Sequence, residues 1–338
     1  MRNVTDGSFR PIEPQNELTI GTEYFTNIQM RLLVLRAFGC CALAFAGPAH
    51  GQYIFENNQN SDFIGEYTTS GAKINATLIT DPTVNRGLAL IGNDLYVANT
   101  TLGTIAEYTT LGTTVSGGLI SGLNEPYGLA ANGGYLYVSS IGSGTVGLYT
   151  PSGAVVNSSL ISGVGTAFGI AFSGNNMFVD NYYNNSIGEY TTSGATISAN
   201  LILGVNRPTG MVVIGNDLFV LCAASGRIAE YTTSGALVNS DLVSYLPGDT
   251  GLATDGKNLF VADQGSSSIA EYTTSGATVN LYLIEGLSGP YGLAIEPAPE
   301  PSTTVIFIGG LMLAFLVCRG RTRNGANAHS LNCKFTQS

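Results

Sequence analysis

Five glutamates, Glu66, Glu107, Glu189, Glu230 and Glu271, stand at one phase of the chain, each separated from the next by 41 residues or a multiple of it. Each precedes a tyrosine, and Leu148 takes the place of the missing sixth. Carboxylates spaced in this way could ring a cation, because hard divalent ions take several oxygen ligands. A plainer reading fits better. Residues repeated in every unit of a repetitive fold serve the packing of the units, so the glutamates read as surface positions on a third strand far from the axis and the tyrosines as residues packing between units. Other reactive groups are few. His50 and His329 are the two histidines of the chain, and the stretch 52–297 holds one cysteine, Cys222. A thiol with no imidazole to activate it reads as a small buried residue. The same stretch cannot build a histidine triad, a histidine metal site or an internal disulfide.

The elements that carry these residues follow from the spacing. IGEYTTSG (64–71) recurs with small changes around Tyr67, Tyr108, Tyr149, Tyr190, Tyr231 and Tyr272, each 41 residues after the last. A second marker keeps the same interval: Gly87, Gly128, Gly169, Gly210, Gly251 and Gly292 open GLAL, GLAA, GIAF, GMVV, GLAT and GLAI. Two in-phase series define a structural repeat. Within the unit 87–127, turn residues separate four short apolar runs, GLALI, LYVAN, TIAEYTT and TVSGGLI, rich in the β-branched and aromatic types that strands prefer. No stretch keeps a helical period. Four antiparallel strands in about 40 residues make one propeller blade.

The span 52–297 is 246 residues, six units of 41. Five complete units begin at Gly87, Gly128, Gly169, Gly210 and Gly251. An N-terminal piece, Gln52 to about Thr80, supplies strands two to four of a sixth, and GLAIE at 292–296 supplies its first. The expected fold is therefore all-β, a six-bladed β-propeller with one blade closed by both ends of the domain. Closure removes the exposed sheet edges that template aggregation, and an open solenoid would not need complementary partial repeats. The motif details resemble NHL repeats, whose blades begin Pro-x-Gly-(Ile/Leu)-Ala and continue Gly-Asn-(Leu/Ile)-(Tyr/Phe)-Val-Ala-Asp. GPYGLAIE (289–296), EPYGLAAN (125–132) and GKNLFVADQGSSSIAEY (256–272) match that pattern. The arginine that often follows the second-strand loop in that family is matched by Arg227 alone, which marks a divergent relative.

Function is expected where the units differ. The position before each marker glycine holds Arg86, Tyr127, Phe168, Thr209, Thr250 and Tyr291. Because blade order closes on itself, Tyr291, Arg86, Tyr127 and Phe168 are consecutive and form an arc of three aromatics and an arginine at the channel mouth. Glu125, Asp180, Tyr182, Tyr183, Arg207, Asp249 and Asp263 are expected in loops of the same face. Exposed aromatics mark recognition surfaces, although packing between blades would also use them. Six-bladed gluconolactonase-like proteins, which this repeat also resembles, hold a divalent metal at that mouth through Glu, Asn and Asp. Glu125, Asn99, Asn181, Asp249 and Asp263 would be the oxygen donors suited to Ca2+ or Mg2+ here. Propeller lyases of lactone antibiotics show similar repeats but rely on histidine, which 52–297 lacks.

Both ends of the chain read as addresses. MRLLVLRAFGCCALAFAGPAHG (30–51) has basic Arg31 and Arg36, an apolar run from Ala37 to Ala46, and small residues at Ala49 and Gly51. This pattern is a secretory signal peptide cut before Gln52. A signal peptide starts its chain, so Met30 reads as the initiator and residues 1–29 as an extension from a misplaced start. After Glu296, Pro299-Glu300-Pro301 precedes the apolar run Val305 to Cys318 and then Arg319, Arg321 and Arg323. The run is short for a membrane span of about 20 residues, and the arginines would hold its C-terminal side in the cytoplasm. The segment 298–323 resembles a PEP-CTERM sorting signal. That resemblance implies an exosortase-type processing enzyme as partner, a short transmembrane helix as transient or permanent anchor, and delivery to the cell surface or extracellular matrix. Residues 324–338 read as a disordered tail that members of that family usually lack.

Composition narrows the classes of partner. The full chain carries a net charge of −10 with 11% charged residues, and 52–297 holds 18 Asp and Glu against five Lys and Arg. Nucleic acid, which needs a basic surface, is excluded as a partner. Hydrophobic residues at 44% exclude disorder over most of the length. The expected function is a non-catalytic binding or scaffold module that presents a propeller face to a neutral glycan or a surface protein, with no cofactor. The alternative is a metal-dependent lactonase using Ca2+ or Mg2+ at the same mouth.

Overall fold

A computed structural model describes residues 52–80, 85–246 and 248–296, with the side chains of Asn85, Asp249 and Thr250 outside that description. The N-terminal extension, the signal segment, the sorting residues Pro299, Glu300, Pro301, Arg319, Arg321 and Arg323, the apolar run Val305 to Cys318 and the tail all lie outside the described residues. Within them the chain is all strand, in six separate four-stranded antiparallel sheets. Among the described residues no helix is long and apolar enough to cross a membrane.

Each sheet is one blade, and in five of the six the strands run in sequence order from the centre outward. Blade I runs through Asn85–Ile91, Asp94–Asn99, Thr104–Thr109 and Thr114–Ile120, which are the four runs read from the sequence. Blades II to V repeat this pattern with inner strands Pro126–Asn132, Ile170–Ser173, Pro208–Ile214 and Asp249–Thr254. Blade VI joins the two ends of the domain. Its inner strand Pro290–Ile295 pairs antiparallel with Tyr53–Asn58, placing Ile54 opposite Ile295 and Phe55 opposite Ala294. Proline opens three of the inner strands, where a ladder N–H is least needed. Five inner strands begin earlier than the marker glycines alone indicate, and that of blade III begins one residue after its glycine.

The core is six apolar seams, one between each neighbouring pair of blades, rather than one central cluster. Second-strand residues such as Val97, Val138, Val179, Val220 and Val261 and the repeated tyrosines are buried in them. The marker glycines show how closely the inner strands approach around the axis. A Cβ on Gly87 would meet the Tyr127 carbonyl, on Gly128 that of Phe168, on Gly251 that of Tyr291, and on Gly292 that of Arg86. Glycine there lets one inner strand lie against the backbone of the next, so the ring closes on a narrow channel.

The most conspicuous motif is a turn. In IGEYTTSG the Thr68 hydroxyl accepts the Ala72 N–H at 3.0 Å, and Gly71 turns the chain in the left-handed region at φ +86°. The same hydrogen bond recurs at Thr109, Thr150, Thr191, Thr232 and Thr273. The motif therefore builds the hairpin between third and outer strands. Two of the repeated glutamates are less exposed than surface positions would be. Glu189 and Glu271 are buried and accept the side-chain N–H of Asn176 and Asn258 on the adjacent strand, at 2.7 and 2.6 Å.

Candidate binding site at the channel mouth

Inner strands start, and second strands end, at the same face, as the pairing of Asn85 with Asn99 and of Pro126 with Ser140 shows. The position before each marker glycine is therefore carried to the mouth of the channel. There the structure brings together Arg86, Tyr127, Phe168 and Tyr291. The Tyr127 ring lies edge-on to Phe168 at 4.3 Å between centroids and to Tyr291 at 5.9 Å. The Arg86 guanidinium sits 4.4 Å from the Tyr291 ring and 5.4 Å from that of Tyr127, distances at which a cation is attracted by ring quadrupoles. Burial pushes the Tyr291 hydroxyl above the usual phenol range, and Arg86 beside it pulls in the opposite direction.

The row of rings continues beyond the arc. Phe168 meets Tyr182 at 4.9 Å, Tyr182 meets Tyr183 at 5.1 Å, and Arg207 lies 5.4 Å from the Tyr182 ring. Five aromatic rings thus step from the half-buried channel mouth out to Tyr183, which is 71% exposed, with an arginine near each end. Tyr182 and Tyr183 are in the right loop in the sequence reading, but their continuity with the arc depends on the path of the loop after the second strand of blade III.

Asp180 corrects the sequence reading. It lies in the second strand of blade III, fully buried, rather than in a surface loop. Its two oxygens accept the backbone N–H of Phe168 at 2.6 Å and of Gly169 at 2.9 Å. Burial holds its carboxyl well above the usual range, and the two amides act against that shift. This clamp replaces ladder bonds at the start of the blade, so the strand begins only at Ile170 while Phe168 is held at the mouth. Asn57 has the same position in blade VI, accepting the Gly292 N–H and donating to the Arg86 carbonyl at 3.1 Å. Ser139 has it in blade II, accepting the Gly128 N–H at 2.8 Å.

Glu125 and Arg207 occupy equivalent corners before inner strands, both exposed and both in the left-handed region, at φ +53° and +54°. Glycine fills the same corner as Gly248 and Gly289, because the turn requires positive φ. Arg207 is tied to the ring row and its N–H donates to Asn185 Oδ1 at 3.0 Å. Glu125 joins the face through its backbone, its carbonyl accepting the Ile141 N–H at 3.0 Å. The Asp249 side chain lies outside the described residues.

The expected oxygen donors for Ca2+ or Mg2+ are largely committed to their own turns. Asn99 accepts the Leu102 N–H, Asn181 accepts the Asn184 N–H, and Asp263 accepts Gly265 N–H and the Ser266 hydroxyl. Among the described residues no three Asp, Glu, His or Cys side chains converge as a metal site would require. Cys222 is buried in the seam between blades III and IV, and burial pushes its thiol up to about 11, far from a thiolate at neutral pH.

This architecture defines a six-bladed β-propeller, and solved structures share it at low identity. A nidogen/laminin complex superposes with a TM-score of 0.62 and 15% identity, over 74% of this chain and 100% of that one. Virginiamycin B lyase from Staphylococcus aureus gives 0.53 and 19%, over 73% and 89%. A catalytically inactive form of that lyase with quinupristin gives 0.54 and 17%, over 72% and 96%. No family model matches the chain, and no curated protein matches it. At these identities the likeness carries the fold alone.

Proposed function

We propose that this protein is an exported cell-surface or matrix module that binds a glycan through the channel-mouth face, without catalysis. The observation that carries this reading is the continuous row Tyr291, Tyr127, Phe168, Tyr182 and Tyr183, half-buried at one end and exposed at the other. Aromatic faces pack against the apolar faces of sugar rings, and their hydroxyls offer hydrogen bonds at the edges. The scarcity of reactive groups in 52–297 supports binding over turnover, and the acidic surface disfavours densely anionic polymers. The signal segment and the sorting-like segment 298–323 supply the address, with cleavage before Gln52 and near Pro299 to Ser302.

Glycan-array binding by the domain, compared with Tyr127→Ala, Tyr183→Ala and Tyr291→Ala, tests the reading. Binding to a neutral glycan that drops in all three variants is expected. Lactone hydrolysis with a stoichiometric bound divalent ion would replace it with the enzyme reading, and capture of a surface protein by the same face would replace the glycan with a protein. Mass spectrometry of surface-exposed protein tests the address, since recovery of residues 1–29 or of the arginine cluster on extracellular material would contradict two-ended processing.

A further inference from the structure

The channel itself is a cavity of about 100 Å³ walled by the marker glycines and the residues before and after them. That is room for roughly three waters, too little for a sugar ring but enough for a small planar group entering tip first. Among the described residues no acidic side chain lines it. It nonetheless contains Arg86, one of only five cations in 52–297. Arg86 Nε is buried without a hydrogen-bond partner, and so is the Thr209 hydroxyl, which lines the same cavity three blades away. The half-buried guanidinium lies against two aromatic rings and hydrogen-bonds Tyr291, but it has no carboxylate partner among the described residues. A partly desolvated cation without an anion is costly to keep, and its planar fork of donors matches a carboxylate.

We infer that the channel is a carboxylate pocket, in which Arg86 takes the single carboxylate of an acidic terminal sugar, opposite the Thr209 hydroxyl, while the body of the glycan lies along the aromatic row. The inference rests on the glycan-binding reading of this face. It refines that reading to a chain neutral along its length and acidic at its tip. The acidic surface rejects polyanions, whereas the acid-free channel accepts one negative charge.

Calorimetry and saturation-transfer NMR with methyl β-D-glucuronide and methyl β-D-glucoside test it on the wild type, Arg86→Gln and Thr209→Val, with hippurate as a carboxylate lacking sugar. A charge-assisted bond of ordinary strength makes the glucuronide roughly tenfold tighter or more than the glucoside. That preference should vanish in Arg86→Gln and weaken in Thr209→Val, the second variant covering failure of the first to fold. Equal affinity for the two sugars would overturn the pocket and leave the glycan reading standing. Arg86-dependent binding of hippurate with no sugar binding would keep the pocket and remove the glycan. A preference that survives Arg86→Gln, or no binding of any probe, would overturn the pocket.

Discussion

Asn58 donates its side-chain N–H to the Glu56 carboxylate at 2.8 Å, inside the strand that joins the two ends of the ring. Glu56 is fully buried, its other oxygen has no partner, and its register is held by Val97, Val138, Val179, Val220 and Val261 in the other five blades. Asn58 in turn accepts the Ser288 N–H at 2.6 Å, from the segment leading into the closing inner strand. A titratable group is thus placed at the closure, where all other blades keep a hydrocarbon.

Burial raises the Glu56 carboxyl from 4.5 to about 8, with Asn58 acting weakly the other way. The folded state therefore keeps its proton over a window in which the unfolded chain releases it. Stability is greatest below about pH 4.5 with respect to this group, falls as pH rises towards 8, and levels off above. Linkage gives a loss on the order of 3 to 5 kcal/mol across that window. Glu56→Val should flatten this slope and raise the melting temperature most at pH 8 and above. Equal pH dependence of thermal melting in wild type and variant would contradict the assignment.

Asp180→Ala removes both acceptors from the Phe168 and Gly169 amides, and alanine fits, because Ala98 and Ala262 fill the same position elsewhere. The expected cost is about 1–3 kcal/mol in denaturant unfolding. Amide exchange at Phe168 and Gly169 should speed up well beyond that of the neighbouring Ala171. Unchanged exchange at these two amides would mean that the clamp does not hold the site.

Gly251→Ala and Gly210→Ala should differ although both sit at the repeated marker. The first would drive a Cβ into the Tyr291 carbonyl, whereas the nearest atoms to the second are those of Leu252 at 3.3 Å. Overpacking against backbone costs roughly 1–3 kcal/mol or more, so Gly251→Ala should melt several degrees lower than Gly210→Ala. The reverse order in differential scanning calorimetry would show that the inner strands do not meet as described.

A chain ending at Gly289 lacks the inner strand of blade VI and exposes the edge of Tyr53–Asn58, while one ending at Glu296 keeps it. The shorter chain should aggregate or fail to fold, because an open edge templates pairing. Size-exclusion chromatography decides the matter. A stable monomer ending at Gly289 would refute closure by both ends.

The two series spaced by 41 were enough to place the blades, because tyrosine and glycine recur wherever each blade needs the same seam contact and the same close approach. The aromatic arc was also legible, since residues before the marker glycines share one face by pairing alone. Asp180 was not. A carboxylate near the end of a strand looks like a loop residue in sequence, and only the burial of that strand turns it into a backbone clamp. Nor was Glu56, because its phase partners are valines in five other blades, and a single departure is visible only once the register of the closing blade is known.

By itself the sequence determined the repeat length, the blade count and the closure by both ends, because these depend on periodicity, which is local and one-dimensional. Which rings touch, that Arg86 meets two tyrosines, and that Glu56 loses its solvent were decided only by the tertiary structure. These properties arise when segments far apart in the chain come within a few ångströms and exclude water, and nothing in the spacing of the residues encodes that exclusion.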